Sequence, residues 1–547
     1  MLAQASAFVQ ARGIDADGDL GPLFETADAD ADPAVVKRLR QMYEAGGWVL
    51  VESTLADLPA DLRWLYESGA VTLEQLAAIH RVLGVTAAVD LALAVNDRSL
   101  RTVEGLDEST ESAIAAAIPT LRASTPRIPL GRAVALAEPL IASLLAVPGV
   151  AWAAPAGSLR RGQDMVGDIE IVATSSDPAA AIAQVLQDSD VMRSLHSGER
   201  RAYLRVDRVQ VGIRLPEPPN AGTELLFLTG SSRHIETLQA HASEKGYRLT
   251  RGGLASATGL VAPAASEDEI YGALGLPCIP PEIRNGDGEV AAAARGELPA
   301  LVSRREIRGD LHMHSTWSDG RDPIEVMVRA CRALGYEYMA ITDHSPTSAA
   351  SRNLSADGVK KQADEIAQIR ERHPDIQILH GCEVDILSDG RLDFPDRILE
   401  QFDIVLASLH EGLGHSPDQL MKRYTAAMKH PLVTMITHPT NRVVPHRPGY
   451  DLDYDRLFET ARETATILEV DGSPSHLDLD GALARRAVEA GVTVAVDSDC
   501  HRADLLARQM HLGIVTARRG WVEPRHVLNT RALVEVRAVI ASKRNRR

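Results

Sequence analysis

Hydrophobic and polar positions follow three different patterns along the 547 residues of the chain. From about 33 to 120, short segments such as TLEQLAAIHRVLGV repeat apolar residues at helical spacing, each after a turn signal. From about 126 to 290, helical segments mix with alternating strands such as RAYLRV and RVQVGIRL. From 307 onward, seven short apolar strands recur, with helical stretches between most of them. The patterns predict a helical region, a mixed region and a C-terminal parallel barrel.

Charge and cysteine usage narrow the classes of function. The net charge is −17, and residues 1–120 hold 19 acidic against 8 basic side chains, a net charge of −11. Such a surface argues against strong DNA binding by the helical region, because affinity for nucleic acid comes mainly from basic groups on phosphates. We find no secretory signal and no apolar run of the roughly 18–20 residues that span a bilayer. The four scattered cysteines suit a reducing compartment, so we expect a cytoplasmic protein with no membrane partner.

Metal-capable side chains stand at the ends of almost every strand of the predicted barrel. Residues i and i+2 of a strand share a face, so His312 and His314 can reach one ion, as can Asp499 and His501. The reactive groups of such barrels lie at the carboxyl ends of the strands, where we expect one convergent set of ligands. Its members are His312, His314, Asp319, His344, Glu383, His410, His438, Asp499 and His501. Nine such ligands imply two or three divalent ions with shared bridges, and imidazole with carboxylate suits Zn²⁺ or Mn²⁺.

Clustered divalent ions activate water and clamp phosphate oxygens, so the ligand pattern predicts phosphoester hydrolysis. Asp343 and Asp497 are candidates for orienting the ligands through hydrogen bonds, and turn roles at the edge of the core are an equal alternative. Five other histidines of this region are expected on the surface, namely His373, His415, His430, His446 and His476.

The motifs GDLHMHSTWSDG, AITDHS, HGCEVDI, ASLH, THPTNR and DSDCHR resemble, in order, those of the PHP (polymerase and histidinol phosphatase) family. The resemblance covers about 305–547, and the nine residues above match the ligand positions of that family. It implies a distorted (β/α)7 barrel with up to three metal ions. It also implies phosphoesterase activity, which in polymerase-linked members is 3′→5′ exonuclease and 3′-end processing activity in DNA repair.

The segments GSLRRGQDMVGDIEIV, RVQVGIRL and LTGSSRHIETL resemble the palm and thumb of bacterial family X DNA polymerases, which carry a PHP domain at the C-terminus. The resemblance places five residues in a polymerase-like site: Ser158, Arg161, Asp168, Glu170 and Gly212. Nucleotidyl transfer uses two metals held by three carboxylates. The family has Asp where this chain has Glu170, and a third carboxylate where it has Gly212. We therefore expect an inactive polymerase core with at most a residual Mg²⁺ site.

Two further departures weaken the resemblance to an active polymerase. Asp207 lies five positions before Gly212 and faces the other side of a regular strand, so it is a poor substitute for the missing carboxylate. The helical region resembles helix-hairpin-helix units, which bind the DNA backbone through Gly-x-Gly hairpins. Here only single glycines remain, and Asp30, Asp32 and Asp107 stand where phosphate would approach. We expect a structural role for this region and at most weak DNA binding.

The predicted fold class is a multi-domain combination of α+β and α/β parts. Its domains are a degenerate helix-hairpin-helix region at 1–125, a nucleotidyltransferase-like palm at 126–225, a thumb-like part at 226–290, a linker at 291–306 and a PHP domain at 307–547. The predicted function is a metal-dependent phosphoesterase that acts on nucleic-acid 3′ ends. Three alternatives stay open: a small-molecule phosphatase of the histidinol-phosphatase type, a still active DNA repair polymerase, and a non-catalytic binding module in the N-terminal half.

Overall fold

The computed structural model describes residues 69–83, 99–124, 127–187, 191–206, 209–256, 261–348, 352–412 and 414–546, with single positions 62, 65, 66, 85, 90, 91, 94, 95, 259 and 350. The predictions for Asp30, Asp32 and Asp207 lie outside these residues. The chain forms two compact units. The first holds the described residues before Arg127, with Met192–Ser197 and the described part of Ala202–Gln210. The second holds Arg127–Val191, Gly198–Arg201 and the described residues from Val211 onward.

The described part of the first unit includes the helices α1 (Leu73–Leu83) and α2 (Glu108–Ser124). A short 3-10 turn at Ser99–Thr102 lies between them in sequence. Their apolar faces share one core with Leu76, Ile79, Leu100 and Ile114, each at most 2% exposed. The helical region predicted from the spacing is therefore present in the described part of this unit.

Helices α1 and α2 each begin with a side chain that accepts a hydrogen bond from a backbone N–H group of the first helical turn. Thr72 and Gln75 bond reciprocally at the start of α1. Asp107 accepts from the backbone N–H of Thr110 at 2.8 Å at the start of α2, and this bond lowers the pKa of Asp107 to about 2. Because Asp107 itself occupies the helix end where a phosphate would bind, the geometry favours the structural role expected for this hairpin.

The second unit begins with the palm-like part. Its helices are α3 (Leu130–Leu145), α4 (Gly157–Arg160) and α5 (Pro178–Leu186). The strands in this stretch are β1 (Ile128–Pro129), β2 (Val150–Pro155), β3 (Met165–Val166), β4 (Ile169–Ser175), β5 (Val191–Ser197), β6 (Arg201–Val206) and β7 (Val209–Arg214); β5 and β6 lie mostly in the first unit. Strand β4 pairs antiparallel with β2 and parallel with β7, which places Glu170 directly opposite Gly212.

A thumb-like part follows in the same unit. It consists of α6 (Ala221–Thr229), α7 (Ser232–Glu244), β8 (Arg248–Thr250), β9 (Gly253–Ala255), β10 (Val261–Ala262), α8 (Glu267–Ala273) and α9 (Glu289–Arg295). Leu238, Ile270 and Tyr271 are fully buried in its core. A buried hydrogen bond of 2.6 Å between His234 Nδ1 and Glu289 Oε1 joins α7 to α9.

Seven parallel strands in sequential order confirm the predicted (β/α)7 barrel. They are β11 (Gly309–Asp310), β12 (Tyr338–Ile341), β13 (Gln377–Asp385), β14 (Ile404–Ser408), β15 (Met435–Ile436), β16 (Ile467–Asp471) and β17 (Val494–Asp497). The helices of this part are α10 (Ile324–Ala333), α11 (Ala356–Arg372), α12 (Asp396–Leu399), α13 (Pro417–Lys429), α14 (Tyr454–Thr464), α15 (Gly481–Glu489), α16 (Leu506–Arg519) and α17 (Leu533–Arg544). The strands are nearly continuous apolar runs because both faces of the sheet are buried. Helices cover the outer face, and side chains pack against one another on the inner face of the barrel.

The first and last strands of the barrel meet just beyond their carboxyl ends. Met313 and Cys500 form a parallel β-bridge there, and the backbone N–H of His314 donates to the carbonyl of Cys500 at 2.9 Å. This nearly closes the sheet and brings the segments that follow β11 and β17 side by side. Among the described residues, no helix combines the length and apolar character that crossing a bilayer requires.

Candidate metal centre

The nine predicted ligands meet at the carboxyl ends of the barrel strands. Three groups have ligand atoms within 4.8 Å of one another: His312, His314 and Asp499; His344, Glu383 and His410; and His314, Asp319, His344 and His501. His438 joins them through Glu383, with 2.9 Å between Nε2 and the carboxylate Oε1. The structure therefore brings all nine side chains together, and their roles as metal ligands stay a prediction.

Glu383, near the carboxyl end of strand β13, lies at the centre of these groups. Its carboxylate is 2.8 Å from His344 Nδ1 and 3.5 Å from His312 Nε2, and the residue is only 1% exposed. Burial disfavours the charged form, but the rings of His344 and His312 outweigh it and hold the pKa of Glu383 well below its usual range. The carboxylate is therefore ionised, the form in which it would serve as a ligand shared by neighbouring cations.

Buried polar atoms of the cluster fit divalent ions. Among the described contacts, Glu383 Oε2 accepts no hydrogen bond although it is buried. His312 Nδ1 lies 2.7 Å from Glu469, and His312 Nε2 lies 3.1 Å from His314 Nε2. Burial, with the nearby rings of His501 and His344, lowers the pKa of His314 to about 3. The carboxylates of Glu469, Glu383 and Asp499 outweigh burial at His312 and hold its pKa well above the usual range. The neutral ring of His314 and the ionised carboxylate of Glu383 are forms that bind metal, so these two residues suit a divalent ion.

Two carboxylates that the sequence analysis did not select orient the rings. Glu469 in β16 lies 2.7 Å from His312 Nδ1 and accepts the backbone N–H of His438 at 2.7 Å. Asp385, two residues after Glu383, lies 2.8 Å from His410 Nδ1. Such partners fix the tautomer and direction of a ligating imidazole. The spacing of two residues between Glu383 and Asp385 was the sequence signal that could have identified Asp385. Glu469 gave no such signal, because it lies in the one predicted strand to which no ligand had been assigned.

We expect the substitution Glu469→Gln to weaken metal binding by about 10–100-fold, because glutamine has one acceptor oxygen for the two hydrogen bonds that Glu469 accepts, from His312 Nδ1 and from the backbone N–H of His438. Titration of Mn²⁺ into the purified chain would measure this change. Glu371→Gln, on the exposed side of α11, is the matched control and should leave the affinity unchanged. Equal affinities for Glu469→Gln and the wild type would refute the orienting role.

Asp343 and Asp497 support the backbone of ligand-bearing segments. Asp343 accepts from the backbone N–H of Ser315 at 2.8 Å and from the side chain of Gln362 at 2.6 Å. Asp497 accepts from the backbone N–H of Leu311 at 2.7 Å. In the described contacts, both carboxylates therefore act on turns and not on the ligand rings. Whether they also orient ligands stays a prediction.

Two of the histidines expected on the surface are buried or half-buried. His373 is 8% exposed and pairs with Glu325 at 3.3 Å, so the surface prediction is wrong for it. His476 is half-buried, and its ring stacks on His438 with centroids 5.1 Å apart. Burial and the neighbouring His438 lower the pKa of His476 to about 4. The loop after β16 folds back over the metal centre, which the sequence pattern did not show.

A buried ion pair occupies the polymerase-like site. Glu170 Oε2 accepts from Arg214 Nε at 2.6 Å, and the two side chains are 6% and 4% exposed. A Cβ added to Gly212 would lie 2.5 Å from Glu170 Oε1, so the carboxylate of Glu170 fills the space of the missing third ligand. An arginine therefore balances the charge that a metal would balance in an active site of this kind.

The other residues of this site precede strand β4 in the sequence. Ser158 lies in α4, and Asp168 directly precedes β4. Arg161 donates from Nη1 to the carbonyl of Thr229 at 2.6 Å, which ties α4 to the end of α6. Burial, with the charges of Arg519 and Arg127, lowers the pKa of Arg161 to about 10. Their roles toward nucleotide or metal stay predictions.

Comparison with known proteins places two family models on the chain. The model described as DNA polymerase beta thumb matches residues 224–285, and the model described as PHP domain matches residues 310–469. The first match contains most of α6 and all of α7 and α8. The second contains most of the barrel and seven of the nine clustered side chains, all except Asp499 and His501.

Several curated proteins are similar to the chain. The DNA polymerase/3′-5′ exonuclease PolX of Bacillus subtilis strain 168 is 34% identical over 511 residues, which cover 93% of this chain and 89% of that protein. A protein of Caldanaerobacter subterraneus named as a probable phosphatase is 33% identical over 205 residues, 35% of this chain and 75% of its own length. Another such protein, of Syntrophotalea carbinolica, is 29% identical over 222 residues, 39% of this chain and 87% of its own length.

Proposed function

Because this chain belongs to the bacterial family X DNA polymerases that carry a C-terminal PHP domain, we propose that it hydrolyses phosphodiesters at the 3′ ends of DNA. The PHP domain makes it a metal-dependent phosphoester hydrolase. The DNA 3′ end as substrate is inferred from the name of the Bacillus subtilis relative, an exonuclease that acts in the 3′→5′ direction.

The convergence of three ligand groups on Glu383 carries this proposal. Divalent ions bound there lower the pKa of water and offset the charge of a phosphate group. The chain itself supplies the ordered surroundings: Glu383 would be the ligand shared by the ions, the neutral ring of His314 would offer a lone pair, and Glu469 fixes the ring of His312. Full burial of His312 and His314 keeps bulk water from competing for these positions.

We propose that the ions are Zn²⁺ or Mn²⁺, since the ligand set mixes imidazole with carboxylate. His312, His314, Glu383 and Asp499 would hold the innermost ion. Asp319, with the rings around it, would hold the outermost one; its carboxylate lies 3.2 Å from His501 Nε2 and favours the harder ion Mn²⁺.

The test is a substrate panel on the full-length chain after chelation and reloading with Mn²⁺ or Zn²⁺. We expect metal-dependent release of mononucleotides from single-stranded DNA with a free 3′-hydroxyl, and none after chelation alone. Blocking the 3′ end with a phosphorothioate linkage is the matched control, because it leaves the chain length and charge of the DNA unchanged. Absence of nucleotide release in the presence of either ion would refute the exonuclease function.

A small-molecule phosphatase is the second candidate, because the same barrel matches curated proteins named as probable phosphatases. Histidinol phosphate and a generic aryl phosphate in the same panel separate the two functions. Hydrolysis of the small phosphomonoester without nucleotide release would favour this alternative. We also propose that polymerase activity is lost, since Glu170 pairs with Arg214 instead of with a metal.

The cellular location and the role of the helical region are the last two parts of the proposed function. The four free cysteines suit a reducing cytoplasm, where a chromosomal substrate would lie. Because the start of α2 is capped by Asp107 and residues 1–120 are acidic, we propose that the helical region contributes at most weak DNA binding.

A further inference from the structure

The palm-like part contacts the PHP barrel through a half-buried carboxylate. Asp164, in the turn between α4 and β3, accepts hydrogen bonds from Arg519 of α16 and from Arg442 Nη1, the latter at 2.8 Å. Both guanidinium side chains are 13% exposed, and the carboxylate is 20% exposed. The carbonyl of Asp164 also accepts the backbone N–H of Leu130 at the start of α3. Asp164 is therefore held by the palm-like part and holds two arginines of the barrel.

Arg442 extends this anchor to the wall of the metal centre. Its Nε donates to the carbonyl of His476 at 2.7 Å, and its Nη2 donates to the carbonyl of Leu477. In return, His476 Nδ1 donates to the carbonyl of Arg442 at 2.8 Å, which fixes the direction of the imidazole ring. That ring stacks on His438 with an angle of 23° between the planes. A continuous set of contacts thus leads from Asp164 to a predicted metal ligand.

Two glycines let the backbones of this surface approach closely. A Cβ on Gly131 would overlap Pro474, two residues before His476, and a Cβ on Gly162 would overlap Val515 of α16. The palm-like part therefore packs directly on the loop that carries His476. Its place is set by main-chain contact as well as by the ion pairs.

We propose that Asp164 is a positioning residue of the metal centre, which holds Arg442 and, through it, the His476 ring that packs on His438. This inference rests on the proposed function and deepens it, because it gives the palm-like part a role in hydrolysis. Without the carboxylate, the remaining ion-pair partner of Arg442 among the described residues is Asp480, 3.7 Å away. The loop around His476 then loses the anchor that fixes its distance from His438.

The experiment compares full-length Asp164→Asn with the wild type by Mn²⁺ titration calorimetry without substrate, and by kcat and KM on single-stranded DNA. We expect the dissociation constant for Mn²⁺ to rise about 10-fold, the low end of the effect of removing ligand-orienting partners. At a fixed, limiting Mn²⁺ concentration kcat should fall to a similar extent, whereas KM for DNA stays within about twofold. The control is Glu138→Gln, which breaks the 2.8 Å ion pair with Arg508 on the same surface. This ion pair is not one of the contacts that lead from Asp164 to His476. The control variant should leave all three quantities unchanged.

A second variant keeps the inference testable if Asp164→Asn does not fold. His476→Leu removes the stacking ring and leaves Asp164 in place, and it should weaken Mn²⁺ binding to the same extent. Wild-type Mn²⁺ affinity in a folded Asp164→Asn or in His476→Leu would overturn the inference, as would equal weakening in Glu138→Gln. If the wild type hydrolyses no phosphoester, the proposed function fails, yet the comparison of Mn²⁺ affinities still decides the role of Asp164.

Discussion

Replacing Glu383 by glutamine is expected to lower the rate of phosphoester hydrolysis by at least about 10³-fold, which corresponds to about 4 kcal/mol in the activation free energy. The substitution keeps the size of the side chain and removes the charge that lies 2.8 Å from His344 and 2.9 Å from His438. Without that charge, neighbouring cations lose their shared ligand, and their contribution of several kcal/mol to charge stabilisation falls with it. Initial rates on single-stranded DNA, with metal content measured in parallel, give the comparison.

Glu411→Gln is the matched control for this prediction. Glu411 follows His410 directly, and its side chain is exposed. The variant makes the same chemical change at the same barrel mouth and should retain the wild-type rate. A Glu383→Gln enzyme with more than about one tenth of the wild-type rate would contradict the bridging role of this carboxylate.

In the palm-like part, Glu170→Gln is expected to lower the free energy of unfolding by about 3–5 kcal/mol, because it removes the charge of the carboxylate that lies 2.6 Å from the buried guanidinium of Arg214. The double variant Glu170→Met with Arg214→Met should recover most of this loss, since apolar residues of similar volume replace a buried ion pair at little cost. Urea-induced unfolding followed by fluorescence measures both differences. Neither variant should incorporate nucleotides on a primed template.

Glu224→Gln is the control for the stability prediction. The carboxylate of Glu224 lies 3.7 Å from Arg214 Nη1 and is 27% exposed, so we expect a loss below about 1 kcal/mol. Equal losses for Glu170→Gln and Glu224→Gln would show that Glu170 is not the dominant partner of Arg214. Template-directed incorporation by the wild type would contradict the loss of polymerase activity.

The barrel could be predicted from the sequence because each of its strands is a short apolar run that ends in a chemically distinctive side chain. Glu383 and His410 follow the simple rule that parallel strands present their carboxyl ends at one mouth. Strand bounds were less predictable: β11 contains only Gly309 and Asp310, so His312 and His314 lie beyond it and are positioned by contacts with the end of β17.

Side-chain partners across elements could not be read from spacing alone. Arg214 stands two residues after Gly212, but only the register of β4 against β7 shows that it meets Glu170. His476 follows a strand that ends in Asp471, and its place depends on how the next loop folds back. Both cases involve residues far apart in sequence, for which local periodicity carries no information.

The bridge between Met313 and Cys500 has a consequence for the order in which the molecule is made. The backbone N–H of Leu311 donates a hydrogen bond to the carboxylate of Asp497, 186 positions later in the sequence. Contacts of this kind hold the first and last strands of the barrel together. His314 shares its ligand group with Asp499 at one side and with His501 at the other. During synthesis, residues 312 and 314 therefore leave the ribosome long before residues 499 and 501, so a metal site built from all nine predicted ligands would be complete only after residue 501 has emerged.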